Sequence, residues 1–351
     1  MIVKNEESTL ARCLDSVADL VDEIIIADTG STDRTAEIAR RYTPHVFSFA
    51  WCDDFSAARN FSFGKATQEF CMWLDADDVM EGEDRTRFRA LKDSLSEKTD
   101  VVMMRYHTAF ASDGKPAFTY YRERLLRRAA GFRWKGAVHE AIAPAGNILY
   151  SDAAVSHRKT GSGDPDRNLR IYEAQLSRCE EFSPRDAFYY ARELTYHGRD
   201  AEAVRVFEDF LADGRGWVEN NLQACRDLAA CYRRLGKEED AFRALVRGLR
   251  YAPPRAELCC DLGAFFFEKK DFSTAAYWYE QALAAKPAAE NGGFSEPDAA
   301  GFIPLLQLCV CYYNLGDAPR AREMNARAGA LRPDSPAYRY NLAFFGEPAA
   351  D

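Results

Sequence analysis

Acidic side chains follow directly on an apolar segment of the chain. Segment 70–74 runs straight into Asp75, Asp77 and Asp78, and the next basic residue is Arg85. Carboxylates crowded in this way repel one another unless a cation lies among them. Hard divalent cations such as Mg2+ and Mn2+ take oxygen ligands and bridge them to phosphates. The pattern therefore indicates a metal site at Asp75 and Asp77, and the alternative is a solvated loop with a helix cap at Asp78.

Two other places could supply acid–base or ligand chemistry. Glu140 follows His139 and lies just after segment 132–135, which contains two aromatic rings and two cations. A partly desolvated carboxylate is a good general base, so Glu140 is our candidate base, and the alternative is a glutamate that only forms a salt bridge. His157 lies at the end of an apolar run, where it is either a metal or phosphate ligand or a structural histidine.

Asp28 begins a third polar segment, 28–33, which contains two carboxylates, a glycine and three hydroxyl side chains. The segment follows a predicted strand and opens a helix, and ligands of α/β sheets bind at that edge of the sheet. A turn followed by a helix cap is the alternative. We expect at most two of six nearby basic residues to point into the site: Arg122, Arg124, Arg127, Arg128, Arg133 and Lys135.

The elements that must position these residues alternate between strands and helices. This alternation predicts an α/β domain with a largely parallel sheet over about the first 160 residues. The predicted strands are 2–3, 23–27, 46–50, 70–74 and 101–106, with helices at 10–17, 35–42, 56–66 and 167–181. The first strand looks clipped, so either Met1 starts inside a strand or the true start lies upstream.

From about Pro184 the pattern is helical only, and it repeats. Ala203, Ala241, Ala275 and Ala321 are separated by 38, 34 and 46 residues. Two helices per 34-residue unit, small residues where they cross and proline at the exit are typical of tetratricopeptide repeats. The longest spacing fits one unit plus an insertion, which we place at 288–301. The preceding turn positions are Gly198, Gly236, Lys270 and Gly316, and the exit prolines are Pro253, Pro287 and Pro333.

Composition narrows the classes of function. The 351 residues have a formal net charge of −9, which argues against nucleic acid as a partner. No apolar run approaches the ~20 residues of a membrane span, and the start lacks the features of a signal peptide. We therefore expect no membrane span and a cytoplasmic protein. The ten cysteines form no C-x2-C pair, so most are expected to be buried free thiols.

Taken together, these motifs resemble a known enzyme family. Segments 1–7, 22–35, 54–60, 73–78 and 138–140 resemble, in order and spacing, family 2 glycosyltransferases of the GT-A fold. With the repeats included, the chain resembles bacterial family 2 transferases that carry C-terminal tetratricopeptide repeats, a group that includes peptide S-glycosyltransferases. The resemblance implies a Rossmann-like GT-A domain at 1–165, a linker helix at 166–183, and an all-α repeat domain of helix pairs at 184–345.

The resemblance also implies a role for each candidate residue. Arg59 would contact the nucleotide or its phosphates, and Glu140 would be the base that activates the acceptor. Lys4 stands where an aromatic stacking residue is common in the family. The nucleotide-sugar would be held by Ile2, Lys4, Glu6, Asp28, Arg59 and Asp75, and Mg2+ or Mn2+ by Asp75, Asp77 and His157. Trp134 either stacks on the sugar or belongs to the core.

These expectations define one function and one alternative. The first is a metal-dependent, inverting glycosyltransferase that uses a nucleotide-diphospho-sugar donor, with the repeats recruiting a protein or peptide acceptor. Attack from the face opposite the diphosphate would invert the anomeric carbon. The alternative is a repeat-based scaffold protein whose sugar-nucleotide domain binds but does not transfer. Together, Asp75, Asp77 and Glu140 favour the enzyme.

Overall fold

The chain divides into two compact units, Met1–Glu181 and Phe182–Asp351. The computed structural model describes residues 1–110, 114, 116–159, 164–285 and 296–346. The predicted domain bounds at 165 and 183 remain predictions, and the helix that we assigned to the linker lies within the first unit.

The first unit alternates strands and helices before it changes to longer strands. Its strands are β1 (Ile2–Val3), β2 (Ile26–Asp28), β3 (Val46–Ser48), β4 (Phe70–Met72), β5 (Asp78–Val79), β6 (Val101–Phe110), β7 (Pro116–Arg127) and β8 (Ile148–His157). Its helices are α1 (Leu10–Asp15), α2 (Thr35–Ala39), α3 (Phe55–Lys65), α4 (Gly82–Ser94) and α5 (Arg167–Ser177).

These strands form two sheets. The first has the order β1-β2-β3 and is parallel throughout. The second has the order β4-β7-β6-β8-β5, in which β6 and β8 are parallel and the other neighbours antiparallel. The expected α/β class is therefore confirmed, but the periodicity of the sequence did not predict β5, β7, β8 or α4.

Apolar packing brings the ends of these strands together. Ala76, which lies between the two candidate acids, belongs to the same buried cluster as Val3 and Ile26 of the first sheet. Trp73 and Trp134 belong to a second cluster with strand residues of β6 and β7. The acidic segment after β4 is thus fixed between the two sheets, close to the carboxyl ends of β1 and β2.

The second unit consists of helices arranged in consecutive pairs, as expected for tetratricopeptide repeats. The helices are α6 (Pro184–Tyr196), α7 (Asp200–Asp213), α8 (Val218–Arg234), α9 (Glu238–Gly248), α10 (Ala256–Glu268), α11 (Phe272–Ala284), α12 (Phe302–Asn314), α13 (Ala318–Leu331) and α14 (Pro336–Phe345). Each odd-numbered helix from α7 to α13 packs against the helix before it.

The repeat positions behave as the pattern predicted. Ala203, Ala241, Ala275 and Ala321 are each 0% exposed and lie on the second helix of a pair. The four turn positions have φ between 61° and 84°, and only Lys270 among them is not a glycine. Residues 288–295 of the expected insertion lie outside the described residues, and Pro297–Ala300 forms a short 3-10 turn.

Two further expectations concern the cysteines and the presence of a membrane span. All ten cysteines are free, and eight of them are buried, whereas Cys52 and Cys179 are exposed. Within the part of the chain that the structure describes, no helix combines the length and the apolar character needed to cross a membrane.

The turn at Lys270 gives a direct test of the repeat geometry. Its φ of 61° is left-handed, which is unfavourable for any residue with a β-carbon. We expect Lys270→Gly to raise the free energy of unfolding by about 1 kcal/mol, measured by urea denaturation. Lys270→Ala is the matched control, because it removes the long side chain but keeps the β-carbon. An equal gain from both substitutions would contradict this explanation.

Candidate active site

A buried arginine joins two of the candidate acids. The Nη2 of Arg59 donates to Oδ1 of Asp75 at 2.7 Å, and its Nε donates to Oε1 of Glu140 at 2.5 Å. The side chains of Arg59 and Glu140 are 10% and 11% exposed, whereas that of Asp75 is 36% exposed. One guanidinium therefore fixes the strand-end acid and the candidate base relative to each other.

Two tryptophans enclose the guanidinium of Arg59. Its central carbon lies 5.2 Å from the ring of Trp73 and 4.8 Å from that of Trp134. These indoles meet edge to face at 5.2 Å, and Trp134 is only 2% exposed. Of the two interpretations of Trp134, the structure therefore favours the core residue over a sugar-stacking platform. Cation–π contacts gain strength when the cation is desolvated, as it is here.

Helix α3 carries Arg59, and hydrogen bonds of Asp54 and Asn60 fix the helix before and after that residue. Asp54 caps the helix, accepting from Ala57 N at 2.9 Å, as Asp commonly does at this position. Asn60, the next residue after Arg59, uses its amide to donate to Trp134 O and to accept from Trp134 N, both at 2.9 Å. The motif at 54–60 thus caps α3 through Asp54, carries Arg59, and binds the backbone of Trp134 through Asn60.

Glu140 lies at the end of a loop closed by a pair of backbone hydrogen bonds. Lys135 and Ala141 exchange both N–H···O bonds at 3.0 Å, so residues 136–140 form a short loop. Ala137 O accepts from Phe55 N at 2.9 Å, which ties this loop to the start of α3. The alternative interpretation of Glu140, a salt-bridging glutamate, describes its observed contact, and the role of base remains a prediction.

The pKa of Asp75 reflects its partner. Burial of the carboxyl raises its pKa, but the neighbouring Arg59 guanidinium outweighs this effect and lowers the pKa of Asp75 to about 2. Oδ2 of Asp75 has no hydrogen-bond partner among the described residues. The carboxylate is therefore ionised at neutral pH, and one of its oxygens can accept a further ligand.

Asp77, Asp78 and His157 form the second acidic group. Antiparallel pairing of β5 with β8 places Asp78 opposite His157, and His157 Nδ1 lies 3.3 Å from Oδ1 of Asp77 and of Asp78. The side chains of Asp77 and His157 are 23% and 26% exposed, whereas that of Asp78 is 0% exposed. These three side chains offer ligand atoms that lie within 4.8 Å of one another, as a bound metal ion would require.

The alternative interpretation of the acidic segment, a solvated loop with a helix cap at Asp78, is wrong. Helix α4 begins at Gly82 with Glu81 at its N-cap position, and Asp78 is instead a buried residue of strand β5. Its carboxylate accepts a bond from the backbone N of Asp75 at 3.1 Å. Asp78 therefore fixes the backbone of the acidic segment at Asp75.

The carboxyl ends of β1 and β2 are joined by side-chain bonds. Asn5, which has a φ of 55°, accepts from Thr32 N at 2.8 Å, and its own N donates to Ser31 Oγ at 3.0 Å. Asp28 Oδ1 accepts from the backbone N of Gly30 and Ser31. The turn interpretation of Asp28 thus describes its observed bonds, and its contact with a nucleotide remains a prediction.

The other predicted nucleotide contacts lie at or beside this edge. Ile2 is in β1, and Lys4 is an exposed residue that directly follows the strand. Glu6 accepts from Thr9 Oγ1 at 2.6 Å. Burial raises the pKa of Glu6, and the charges of Asp77 and Asp75 raise it further. Glu6 therefore lies within the electrostatic field of the acidic segment.

Two residues of the basic cluster reach the site. The guanidinium carbon of Arg122 lies 4.9 Å from the ring of Trp73, and that of Arg124 lies 3.7 Å from it. Arg127 instead pairs with Glu69, at the start of β4. Arg124 is fully buried and donates to Oδ2 of Asp78 at 3.1 Å.

Three residues that hold the site together, Asn60, Trp73 and Tyr106, were given no role from the sequence, and Arg124 was named only as one of six basic residues. Asn60 stands within the motif at 54–60, so its position was a signal that we did not use. Trp73 is adjacent to the acidic segment but looked like an ordinary strand residue. Tyr106 of β6 donates its hydroxyl hydrogen to Oδ1 of Asp78 at 2.9 Å, and no local pattern connects Tyr106, or Arg124 of β7, with Asp78.

Comparison with known proteins agrees with this geometry. Residues 1–155 match the model of glycosyl transferase family 2, so the first unit contains a glycosyltransferase domain of that family. The chain is 29% identical to a TPR repeat-containing protein of Synechococcus elongatus over 81% of its own length and 64% of that protein's length.

Two further relatives are glycosyltransferases by name. The SPbeta prophage-derived glycosyltransferase SunS of Bacillus subtilis is 29% identical over 58% of this chain and 50% of its own length. The lipopolysaccharide core biosynthesis glycosyltransferase LpsC of Rhizobium meliloti is 28% identical over 42% of this chain and 57% of its own length. The chain thus spans between half and two thirds of the length of these curated relatives.

The contact of His157 with two carboxylates predicts a specific pH dependence. Hydrogen bonds to Asp77 and Asp78 raise the pKa of His157 from 6.5 to about 10. A raised pKa stabilises the folded chain below pH 6.5, and this contribution is lost as the pH rises from 6.5 towards 10. We therefore expect the difference in free energy of unfolding between the unsubstituted chain and His157→Gln, measured with a chelator present, to shrink across that range.

Asp77→Asn provides the control for this pH dependence. This substitution removes one of the two charged partners of His157. In a chain that carries Asp77→Asn, the effect of His157→Gln on the free energy of unfolding should therefore shrink less between pH 6.5 and pH 10. A His157→Gln difference that stays constant between pH 6 and pH 10 would contradict the assignment.

Proposed function

We propose that the chain is a metal-dependent, inverting glycosyltransferase that moves a sugar from a nucleoside-diphosphate-sugar to an acceptor. The observation that carries this proposal is the double contact of Arg59 with Asp75 and Glu140. That contact places a candidate base beside the acidic segment, within a domain that matches glycosyl transferase family 2.

The nucleotide end of the donor would lie at the carboxyl edge of the first sheet. Backbone N–H groups and side chains from two strand ends meet there, which is where α/β sheets bind nucleotides. In this proposal Ile2, Lys4, Glu6 and Asp28 hold the nucleotide. Lys4 is exposed and positively charged, and it is therefore suited to a contact with the negatively charged donor.

The residues after β4 fit a divalent cation. Asp77 and His157 are both partly exposed, and Asp75 keeps one carboxylate oxygen for a further ligand. Carboxylate donors suit both Mg2+ and Mn2+, and histidine is a common ligand of metal ions in proteins. Bound there, such an ion would offset the negative charge that develops on the departing diphosphate. In this assignment Arg59 acts indirectly, by fixing the carboxylate of Asp75.

Glu140 would take the proton of the acceptor. As the acceptor oxygen or sulfur forms its bond to the anomeric carbon, the bond from that carbon to the diphosphate breaks and the acceptor proton passes to Glu140. Arg59 binds Oε1 of Glu140, which leaves Oε2 for the proton. Attack on the face opposite the diphosphate makes the reaction inverting.

The helical repeats would recruit the acceptor. Stacked helix pairs form extended surfaces that bind peptides and proteins, and the second unit consists of such pairs. We therefore propose that the acceptor is a protein or peptide that binds to the second unit and is modified at the first.

Two substitutions separate the metal from the base. Asp77→Asn should abolish Mn2+-dependent binding of nucleoside diphosphates, measured by calorimetry, because it removes a ligand. Glu140→Gln keeps the shape of the side chain, so donor binding should persist while hydrolysis of the sugar nucleotide falls by about 10² to 10⁴-fold. Unchanged hydrolysis by Glu140→Gln would exclude Glu140 as the base.

Donor binding without any hydrolysis or transfer by the unsubstituted chain would favour the scaffold alternative.

Truncation after Ser183 tests the role of the repeats. Because the candidate ligands and base all lie in the first unit, the shortened chain should still hydrolyse the sugar nucleotide slowly in the presence of Mn2+. It should lose transfer to the macromolecular acceptor, which mass spectrometry of a lysate incubated with candidate donors would identify. Hydrolysis is the internal control for folding. Transfer as fast as that of the full chain would show that the repeats do not recruit the acceptor.

A further inference from the structure

The loop that carries Glu140 is held on helix α3 by its main chain. Where the loop begins, the side chain of Asn60 bonds both backbone groups of one residue: Nδ2 donates to Trp134 O, and Oδ1 accepts from Trp134 N, each at 2.9 Å. Further along, Ala137 O accepts from the backbone N of Phe55 at 2.9 Å. Neither contact involves the carboxylate of Glu140, so both act on it through the position of the loop.

The contacts of Asn60 are difficult to replace. Trp134 is only 2% exposed, so water has little access to its backbone N–H and C=O, and buried backbone groups need partners. An amide side chain supplies a donor and an acceptor side by side, which is what these two groups require. Aspartate has the same shape without the donor, and alanine has neither group.

The backbone directly before Glu140 is strained. His139 has a φ of 51°, which lies in the left-handed region and is unfavourable for a residue with a β-carbon. Such a conformation persists only where the surrounding structure holds it. The direction in which the Glu140 side chain leaves the loop therefore depends on the contacts that fix the loop on α3.

We propose that Asn60 is a positioning residue for the candidate base: by holding the backbone of Trp134 on α3, it places the Glu140 carboxylate where Oε2 can take the acceptor proton. This inference rests on the proposed function, because it concerns the base of the same reaction. Arg59 binds one oxygen of that carboxylate, whereas Asn60 fixes the loop from which the side chain extends. The motif at 54–60 thus has a role in turnover besides the nucleotide contact expected of Arg59.

Steady-state hydrolysis by the full chain tests this role. The probe is whichever of UDP-glucose, UDP-N-acetylglucosamine and GDP-mannose the unsubstituted chain hydrolyses fastest with Mn2+. Asn60→Ala should lower kcat about 10- to 100-fold and leave KM unchanged, because misplacing a reacting group by about 1 Å can cost about 10²-fold. The matched control is Ser62→Ala, which removes a buried hydroxyl of the same helix whose hydrogen bonds go to the backbone of Met1. An unchanged kcat of Asn60→Ala, or an equal fall for Ser62→Ala, would overturn the inference.

A double-mutant cycle distinguishes action through Glu140 from a general loss of structure. In a chain that already carries Glu140→Gln, Asn60→Ala should lower kcat by less than about threefold, because the base that it positions is no longer there. Losses that multiply would contradict the positioning role. If Glu140→Gln alone leaves hydrolysis unchanged, the base of the proposed function is wrong as well. A fall for Glu140→Gln with none for Asn60→Ala would exclude only the role of Asn60.

Phe55 gives a second test that leaves Asn60 intact. Phe55 is the first residue of α3, where proline is tolerated, and Asp54 before it is extended, as a residue before proline prefers. Phe55→Pro removes the N–H that binds Ala137 O, whereas Phe55→Ala removes the same ring and keeps that N–H. We expect Phe55→Pro to have a kcat at least about threefold below that of Phe55→Ala, with equal KM. Equal kcat values would show that the main-chain contacts of α3 do not position the base, and the inference would fail.

Discussion

The buried guanidinium of Arg59 is the interaction on which the rest of the site depends. It pairs with Asp75 after β4 and with Glu140 in the loop at 136–140, which are far apart in the sequence. Burying an arginine is unfavourable unless its hydrogen-bonding groups are satisfied, and the two carboxylates provide that compensation. Removing one partner of a buried pair typically costs about 3–5 kcal/mol. The two acids and the guanidinium are therefore constrained to stay together.

Around this interaction the candidate site has a fully buried layer and a partly exposed layer. Asp78, Arg124 and Tyr106 are buried and bonded to one another, and they shape the backbone of the acidic segment. Asp77 and His157 lie above them and are partly exposed. Crowded carboxylates are tolerable here because Arg59 pairs with Asp75, Arg124 pairs with Asp78, and Asp77 contacts His157. A preorganised site of this kind needs little rearrangement when the donor binds.

The sequence identified the candidate residues of the site more readily than the strands that carry them. Asp75, Asp77 and Glu140 were recognisable because crowded or isolated acids beside apolar segments are unusual, and the spaced alanines revealed the repeats. Strand β7 was missed because the charged residues Arg122, Glu123, Arg124 and Arg127 fill its second half, so its alternation of apolar and polar residues is weak. Arg124 is fully buried, and its burial follows from pairing with Asp78 across the sheet. Such long-range pairs are visible only in three dimensions, and for the same reason the role of Asp78 could not be read from its place in an acidic run.

The most direct test of the account is the position of the metal and the donor in a crystal of the full chain grown with Mn2+ and a nucleoside diphosphate. Anomalous scattering locates Mn2+ independently of any assumption about its ligands. We expect Mn2+ to be coordinated by Asp77 and His157, with the diphosphate bound to it. The nucleoside should lie at the carboxyl edge of β1 and β2, and Arg59 should still join Asp75 to Glu140. A metal held elsewhere, or a nucleoside diphosphate bound away from the acidic segment, would contradict it.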